Sequence, residues 1–180
     1  LTYEEGRTIA LWAAKAGADA LHITAGHYRS KPTAHRMIPP MAEPDAPFLS
    51  YAADVKKQAN VPVIAVGRLG DPATATDAVA SGKADFIALG RTLVADPQWV
   101  EKLRNKEPIR RCLACNTCVD GMRSGAGISC VVNAAAGRET AFARAQPPQG
   151  ERPEGGDQED AERREADEAA DQVRKGKMPE

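Results

Sequence analysis

Apolar side chains recur at helical spacing behind Thr2-Tyr3-Glu4-Glu5: Ile9, Leu11, Trp12, Ala13 and Ala16. A threonine followed three residues later by a glutamate is a capping box, and Gly17 is a stop, so the pattern predicts a helix over 3–16. The period then changes. Ala20-Leu21-His22-Ile23-Thr24 predicts a short buried strand, and a long polar loop runs on through Pro47. Phe48, Tyr51 and Val55 place a helix over 48–59, ended by Asn60. Val61-Pro62-Val63-Ile64-Ala65-Val66 is a second apolar strand, with proline at its start, where a missing N–H is tolerated. Asp71-Pro72 pairs an N-cap residue with proline at the first helical position and predicts a helix to Ser81, stopped by Gly82. Asp85-Phe86-Ile87-Ala88-Leu89 is a third strand, and Asp96-Pro97 predicts a last helix through Arg104.

Continuous apolar strands alternating with capped helices specify an α/β fold with a parallel sheet covered by helices. Gly17-Ala18-Asp19 before the first strand and Gly82-Lys83-Ala84-Asp85 before the third repeat one device, a helix stop followed by a strand start. Three strands do not close a barrel, which takes about eight. An open three-stranded sheet and a piece of a barrel both fit the pattern.

Composition changes this picture only at the end of the chain. Of the 180 residues 42% are hydrophobic, which supports a core, and the net charge of −1 gives no case for a nucleic acid or a membrane surface as partner. No apolar run approaches the ~20 residues of a membrane helix, and no signal peptide is visible, so the expected location is cytoplasmic. The first residue is Leu1 rather than Met, and the expectation is a chain that begins inside something larger or was processed. Residues 151–180 carry 11 acidic and 6 basic side chains, with Val173 and Met178 as the large apolar ones. Such a stretch cannot offset its ordering entropy by burial, which predicts disorder over 143–180, with a short solvated helix around Ala161–Val173 as the plainer alternative.

In parallel α/β folds ligands sit at the carboxyl ends of the strands. Gly67-Arg68-Leu69-Gly70 follows the second strand and Gly90-Arg91 the third. A glycine lets backbone N–H groups approach an anion, and an arginine offers a planar fork that matches phosphate. Either pair alone reads as a turn glycine beside a surface arginine. Both together, at equivalent positions, predict a phosphate-binding cup. After the first strand, Thr24-Ala25-Gly26-His27 sets His27 at the same mouth, although a lone loop histidine is more often a solvated side chain. His22 and His35 have no assigned role.

All four cysteines fall between 112 and 130: Cys112, Cys115 and Cys118 at C-x-x-C-x-x-C, then Cys130. Disulfides need an oxidising compartment. Zinc usually takes two C-x-x-C pairs with a spacer, and here the fourth cysteine stands alone. Three close cysteines with one remote partner is the iron–sulfur pattern, because a cubane is wider than one ion and a tight loop can supply three corners. Gly121, Gly125 and Gly127 let the backbone fold closely around such a cluster. The pattern favours [4Fe–4S] over zinc, and zinc over disulfides.

The run from Gly17 to Glu139 resembles the C-terminal part of the flavin barrel in iron–sulfur members of the old yellow enzyme family, nearest to the 2,4-dienoyl-CoA reductase and NADH:flavin oxidoreductase group. The likeness rests on Ala20–Thr24 with Gly26-His27, Val63–Arg68, Ala84–Arg91, Ala95-Asp96-Pro97, Cys112-Leu113-Ala114-Cys115-Asn116-Thr117-Cys118 and Cys130-Val131-Val132-Asn133. It implies a (β/α)8 TIM barrel, of which these would be units 6–8. The implied organisation is a partial FMN-binding barrel over 1–107, a four-cysteine iron–sulfur segment over 108–142, and a disordered charged tail over 143–180. Gly67, Arg68, Gly90 and Arg91 match FMN phosphate-binding positions. His27 matches the histidine that polarises and protonates substrate, and Cys112, Cys115, Cys118 and Cys130 match the ligands of a [4Fe–4S] cluster. The implied reaction is reduction of an activated C=C bond in a small-molecule enone or enoyl thioester, with NAD(P)H as donor.

Two features depart from the family pattern. The first five barrel units and their tyrosine acid have no counterpart in this sequence. Beyond Arg138 the family continues into an FAD- and nicotinamide-binding domain with G-x-G-x-x-G after a strand, whereas here Gly155-Gly156-Asp157-Gln158 has no strand before it. The expectation is an out-of-frame reading or a gene truncated at both ends, inactive as an isolated chain. The alternatives are a small non-catalytic zinc module and a non-functional truncated product.

Overall fold

The computed structural model describes residues 1–145. They divide into a compact unit of Leu1–Glu139 and the start of a second unit that begins at Thr140. Helix α1 (Tyr3–Lys15) opens on the expected capping box: the Glu5 N–H donates to Thr2 Oγ1 at 3.3 Å, and the Thr2 N–H donates to Glu5 Oε2 at 2.7 Å. Gly17, at φ +103°, takes the left-handed conformation that stops it. Strand β1 (Leu21–Ile23) is followed by a long loop holding one 3-10 turn, Ala34–Met37. Helix α2 (Leu49–Lys56), strand β2 (Val63–Val66), helix α3 (Pro72–Ala80) and strand β3 (Phe86–Ala88) come next.

The three strands form one parallel sheet in the order β1-β2-β3. Leu21 pairs with Val63 and Ile23 with Ala65; Ile64 pairs with Phe86, Ala65 with Ile87 and Val66 with Ala88. Side chains alternate across a strand, so this register sorts them into two faces. Leu21, Val63 and Ala65 lie in the core with Ala14, Ala52, Val55, Leu69 and Ala84, beneath α1 and α2. His22, Ile64 and Phe86 form a row across the other face, where Phe86 is 59% exposed. Asp85 seals the edge of the core. One carboxylate oxygen accepts from the Val63 N–H at 2.8 Å, and the other takes the Lys56 ammonium.

Helix α3 begins as expected. Asp71 caps it by accepting from the Thr74 N–H at 2.9 Å, with Pro72 in the first turn. Asp71→Ala is expected to cost about 1 kcal/mol, read as a lower urea midpoint with an unchanged slope, since one helix donor loses its acceptor.

The second Asp-Pro pair behaves differently. Helix α4 (Arg91–Ala95), absent from the predicted elements, follows β3 directly, and helix α5 starts only at Trp99 and runs to Asn105. Asp96 is therefore not the opening residue of a helix over 97–104. It is 2% exposed and turns inward: Oδ2 accepts from the Arg110 N–H at 2.8 Å and from Lys102 Nζ at 2.9 Å, and Oδ1 accepts from the Gln98 N–H at 3.2 Å. Burial won here because the acceptor is needed by the chain fourteen residues on. Helix α6 (Thr117–Ser124) lies inside the cysteine segment, and helix α7 (Glu139–Ala145) occupies the first three positions of the segment expected to be disordered. The remainder of that tail lies outside the described residues. Among them no helix is long and apolar enough to cross a membrane.

Candidate functional site

Because β2 and β3 are parallel and paired, the loops that follow them open on the same edge. Gly67, Arg68, Gly90 and Arg91 line one cleft of about 270 Å³ there, together with Asp45, Phe48, Arg111, Cys112 and Ala114. The four residues expected to form an anion cup are thus brought together, and the cysteine loop forms one of its walls.

Gly67 has φ +103°, and a Cβ on it would stand 2.8 Å from the ring of the buried Phe48. Only glycine fits both the backbone and the space. Gly90 is the opposite case. A Cβ there would meet nothing within 4 Å, so it would project into open space beside the cleft.

Both arginines are held by the long loop. Arg68 Nε and Nη2 donate to Asp45 Oδ1 at 3.0 and 2.7 Å, and Nη1 donates to the Pro40 carbonyl. Arg111 Nη2 donates to the other oxygen of Asp45 at 3.0 Å. Arg91 Nη2 donates to the Pro39 carbonyl at 2.9 Å, and its Nη1 donates to Asn116 Oδ1. Asn116 in turn donates from Nδ2 to the Ile38 carbonyl at 3.1 Å. Three consecutive carbonyls, Ile38, Pro39 and Pro40, therefore hold Asn116, Arg91 and Arg68. Neither Asn116 nor this loop was identified from sequence, since a backbone carbonyl leaves no mark in residue identity.

The cysteine segment is fastened at both ends to the close of α4. Before Cys112, the Arg110 N–H donates to Asp96, and Arg110 Nη1 donates to the Ala95 carbonyl at 3.2 Å. After Cys130, the buried Asn133 donates from Nδ2 to the Val94 carbonyl at 2.8 Å. Between these anchors Ala114 (φ +54°) and Asn116 (φ +64°) take left-handed conformations that are unfavourable for residues with a Cβ, so the loop is held rather than relaxed.

All four cysteines are free thiols. Burial first, and then the neighbouring Cys112, push the Cys118 thiol above the usual range, and Cys130 adds to the effect, so Cys112 and Cys130 each lie within electrostatic reach of Cys118. Cys115 is lowered instead, by the Thr117 hydroxyl and N–H and by Arg91. Four sulfur donors suit zinc or an iron–sulfur cluster. Among the described residues no three His, Cys, Asp or Glu side chains gather closely enough to hold a single ion. A cubane binds each thiolate to a different iron and does not require that convergence.

His27 is exposed and lines a neighbouring cleft of about 680 Å³ with His22, Tyr51 and Thr24, the last shared with the arginine cleft. It follows β1 at the same sheet edge but does not line the arginine cleft itself. Its Nδ1 accepts from the Arg29 N–H at 3.1 Å, so in the neutral ring the proton sits on Nε2.

Comparison with known proteins identifies the fold that carries these residues. Residues 7–109 match the NADH:flavin oxidoreductase / NADH oxidase family. The chain is 39% identical over 145 residues to an NADH oxidase of Thermoanaerobacter brockii, which covers 78% of this chain and 22% of that protein. It is 40% identical over 148 residues to a cinnamate reductase of Clostridium sporogenes, covering 77% of this chain and 22% of that one. A solved 2-naphthoyl-CoA reductase in complex with 2-naphthoyl-CoA superposes with a TM-score of 0.74 at 29% identity, over 84% of this chain and 23% of the other. The chain thus spans about a fifth of the length of these relatives, and its three parallel strands with their helices have the arrangement of part of a TIM-barrel flavoenzyme. The family match over residues 7–109, more than half of the 180 residues, makes this chain a member of the NADH:flavin oxidoreductase / NADH oxidase family.

Proposed function

We propose that this chain carries the phosphate-binding end of an FMN site and the four ligands of a [4Fe–4S] cluster, within an oxidoreductase that reduces the activated C=C bond of an enoate or enoyl thioester with NAD(P)H. The observation that carries this reading is the single cleft shared by Gly67-Arg68, Gly90-Arg91 and Cys112. The strands then correspond to units 6–8 of the barrel. A cytoplasmic setting, where thiols stay reduced, suits the four free cysteines. FAD in the wider protein would take hydride from the nicotinamide.

The residues divide the work by chemistry. Arg68 and Arg91 present to a phosphate the guanidinium N–H groups that Asp45, Asn116 and the loop carbonyls leave over, Gly67 makes the turn that aims Arg68, and Gly90 leaves room for the oxygens. Cys112, Cys115, Cys118 and Cys130 hold the cluster as thiolates. When bound, FMN supplies hydride transfer and the cluster single-electron transfer. His27 donates from Nε2 to the carbonyl conjugated with the double bond. That contact strengthens as enolate charge develops on the oxygen, so it favours the transition state over the ground state. Arg29, through its N–H, fixes the tautomer that makes the donation possible.

Two measurements test the two halves separately. Protein purified anaerobically is expected to hold about four irons with acid-labile sulfide and to absorb broadly near ~400 nm; zinc without sulfide would defeat the cluster assignment. Gly90→Ala is expected to leave the urea midpoint unchanged, because its Cβ meets nothing, and to weaken FMN binding by about tenfold, or ~1.4 kcal/mol. Equal FMN affinity in the variant would defeat the cup.

A further inference from the structure

We infer that Arg91, gripped by Asn116 inside the cysteine loop, sets the reduction potential of the cluster as well as binding the phosphate. This rests on the iron–sulfur reading above and goes beyond it by giving the cluster a specific cation.

Arg91 follows β3 and belongs by sequence to the sheet edge, yet its guanidinium reaches across to the cysteine segment. Asn116 stands between Cys115 and Thr117, next but one before Cys118, and its side-chain oxygen takes Arg91 Nη1. The other guanidinium nitrogen is held by the Pro39 carbonyl at 2.9 Å. Two fixed acceptors leave the fork little freedom to turn to solvent. Arg91 shares the cleft with Cys112 and Ala114. Burial lowers its proton affinity, while Cys112, Cys118 and Cys115 each act to raise it, so three of the four proposed ligands feel its charge.

A cluster gains one negative charge on reduction, and its potential is set by net charge, by hydrogen bonds to sulfur and by exposure. A fixed cation nearby therefore favours the reduced state. For a unit charge at an effective dielectric of about 20 and a separation on the order of 12 Å, Coulomb's law gives an effect of about tenfold on the ratio of reduced to oxidised cluster. The partly buried position keeps counterions from screening it fully.

The test is a redox titration of the full chain with its cluster, followed by the ~400 nm band and by the paramagnetic signal of the reduced cluster. Arg91→Gln is expected to lower the reduced-to-oxidised ratio at a fixed potential about tenfold, which is a midpoint ~59 mV more negative for one electron. Arg91→Lys keeps the charge and should recover most of that loss. Asn116→Leu adds no charge but releases the guanidinium from the cysteine loop, and should shift the midpoint in the same direction as Arg91→Gln by a smaller amount. If Arg91→Gln assembles no cluster, Asn116→Leu decides. Variants that hold fewer clusters but titrate with the wild-type midpoint would show a merely structural role and overturn the inference. A wild-type chain that assembles no cluster would overturn the iron–sulfur reading itself, which is a different result.

Discussion

Asp96→Ala is expected to cost about 3–5 kcal/mol, a large part of the roughly 5–15 kcal/mol that holds a domain of this kind together. The carboxylate is 2% exposed and accepts from two backbone N–H groups and the Lys102 ammonium. Alanine leaves these donors without an acceptor and opens a hole. Burial alone would raise the carboxyl's proton affinity, but the Arg110 N–H and Lys102 outweigh it and hold the pKa below the usual carboxylate range. The sign follows from that direction. A folded-state pKa below the unfolded ~3.9 gives stability that is present above that value and is lost as pH falls through the folded one. Urea unfolding at pH 7 should show the full loss for Asp96→Ala. Between pH 5 and pH 3 the wild type should weaken more steeply than Asp96→Asn, which has no carboxylate to protonate. A loss below about 1 kcal/mol at pH 7 would mean that the buried pair is not the anchor proposed here.

Gly67→Ala should cost about 2–5 kcal/mol, and Gly82→Ala about 1–2 kcal/mol. Both glycines have positive φ, +103° and +69°. They differ in space: a Cβ at Gly82 meets nothing within 4 Å, whereas at Gly67 it stands 2.8 Å from Phe48. Phe48 is 1% exposed and has nowhere to move without disturbing the core. The pair of variants therefore separates backbone strain from overpacking, and the excess loss at Gly67 measures the second. Equal losses at the two positions in urea titrations would show that Phe48 yields freely. The Gly67 variant should also bind FMN more weakly, because Arg68, the next residue, is itself at φ +49° and depends on the same turn.

The strands and the capped helices were legible because their signals are local. Thr2 with Glu5, and Asp71 with Pro72, each state a helix start within four residues, and both starts are where the pattern places them. Asp96-Pro97 carries the same local signal as Asp71-Pro72 and leads elsewhere, because its partner is the Arg110 N–H, and no short-range rule includes a partner fourteen residues away. Helix α4 was missed for a related reason. Its five residues are too short to show a period, and it is held from outside by Arg110 and Asn133. At the candidate site the glycine–arginine pairs and the cysteines were readable as chemistry. Asn116 and Asp45 were not, since an asparagine or aspartate in a loop has no distinctive spacing and each acquires meaning only from the arginine it meets.

The carbonyls that grip Arg91 and Arg68 belong to two prolines in a row, Pro39 and Pro40. Each ring locks its own φ near −65°, and each lacks an N–H that could draw the chain into another pattern of bonds. Pro40 also confines the ψ of Pro39 to the extended region, so the direction of the Pro39 carbonyl is narrowed by covalent structure, and the arginine side chain it holds inherits that order. Ordering a long side chain takes about 0.5–1.5 kcal/mol of entropy when it happens on association. Here it has been met during folding. An anion entering the cleft finds both forks already immobile, so its association should carry little conformational entropy loss, and the favourable part of its binding should be dominated by charge and by the release of water.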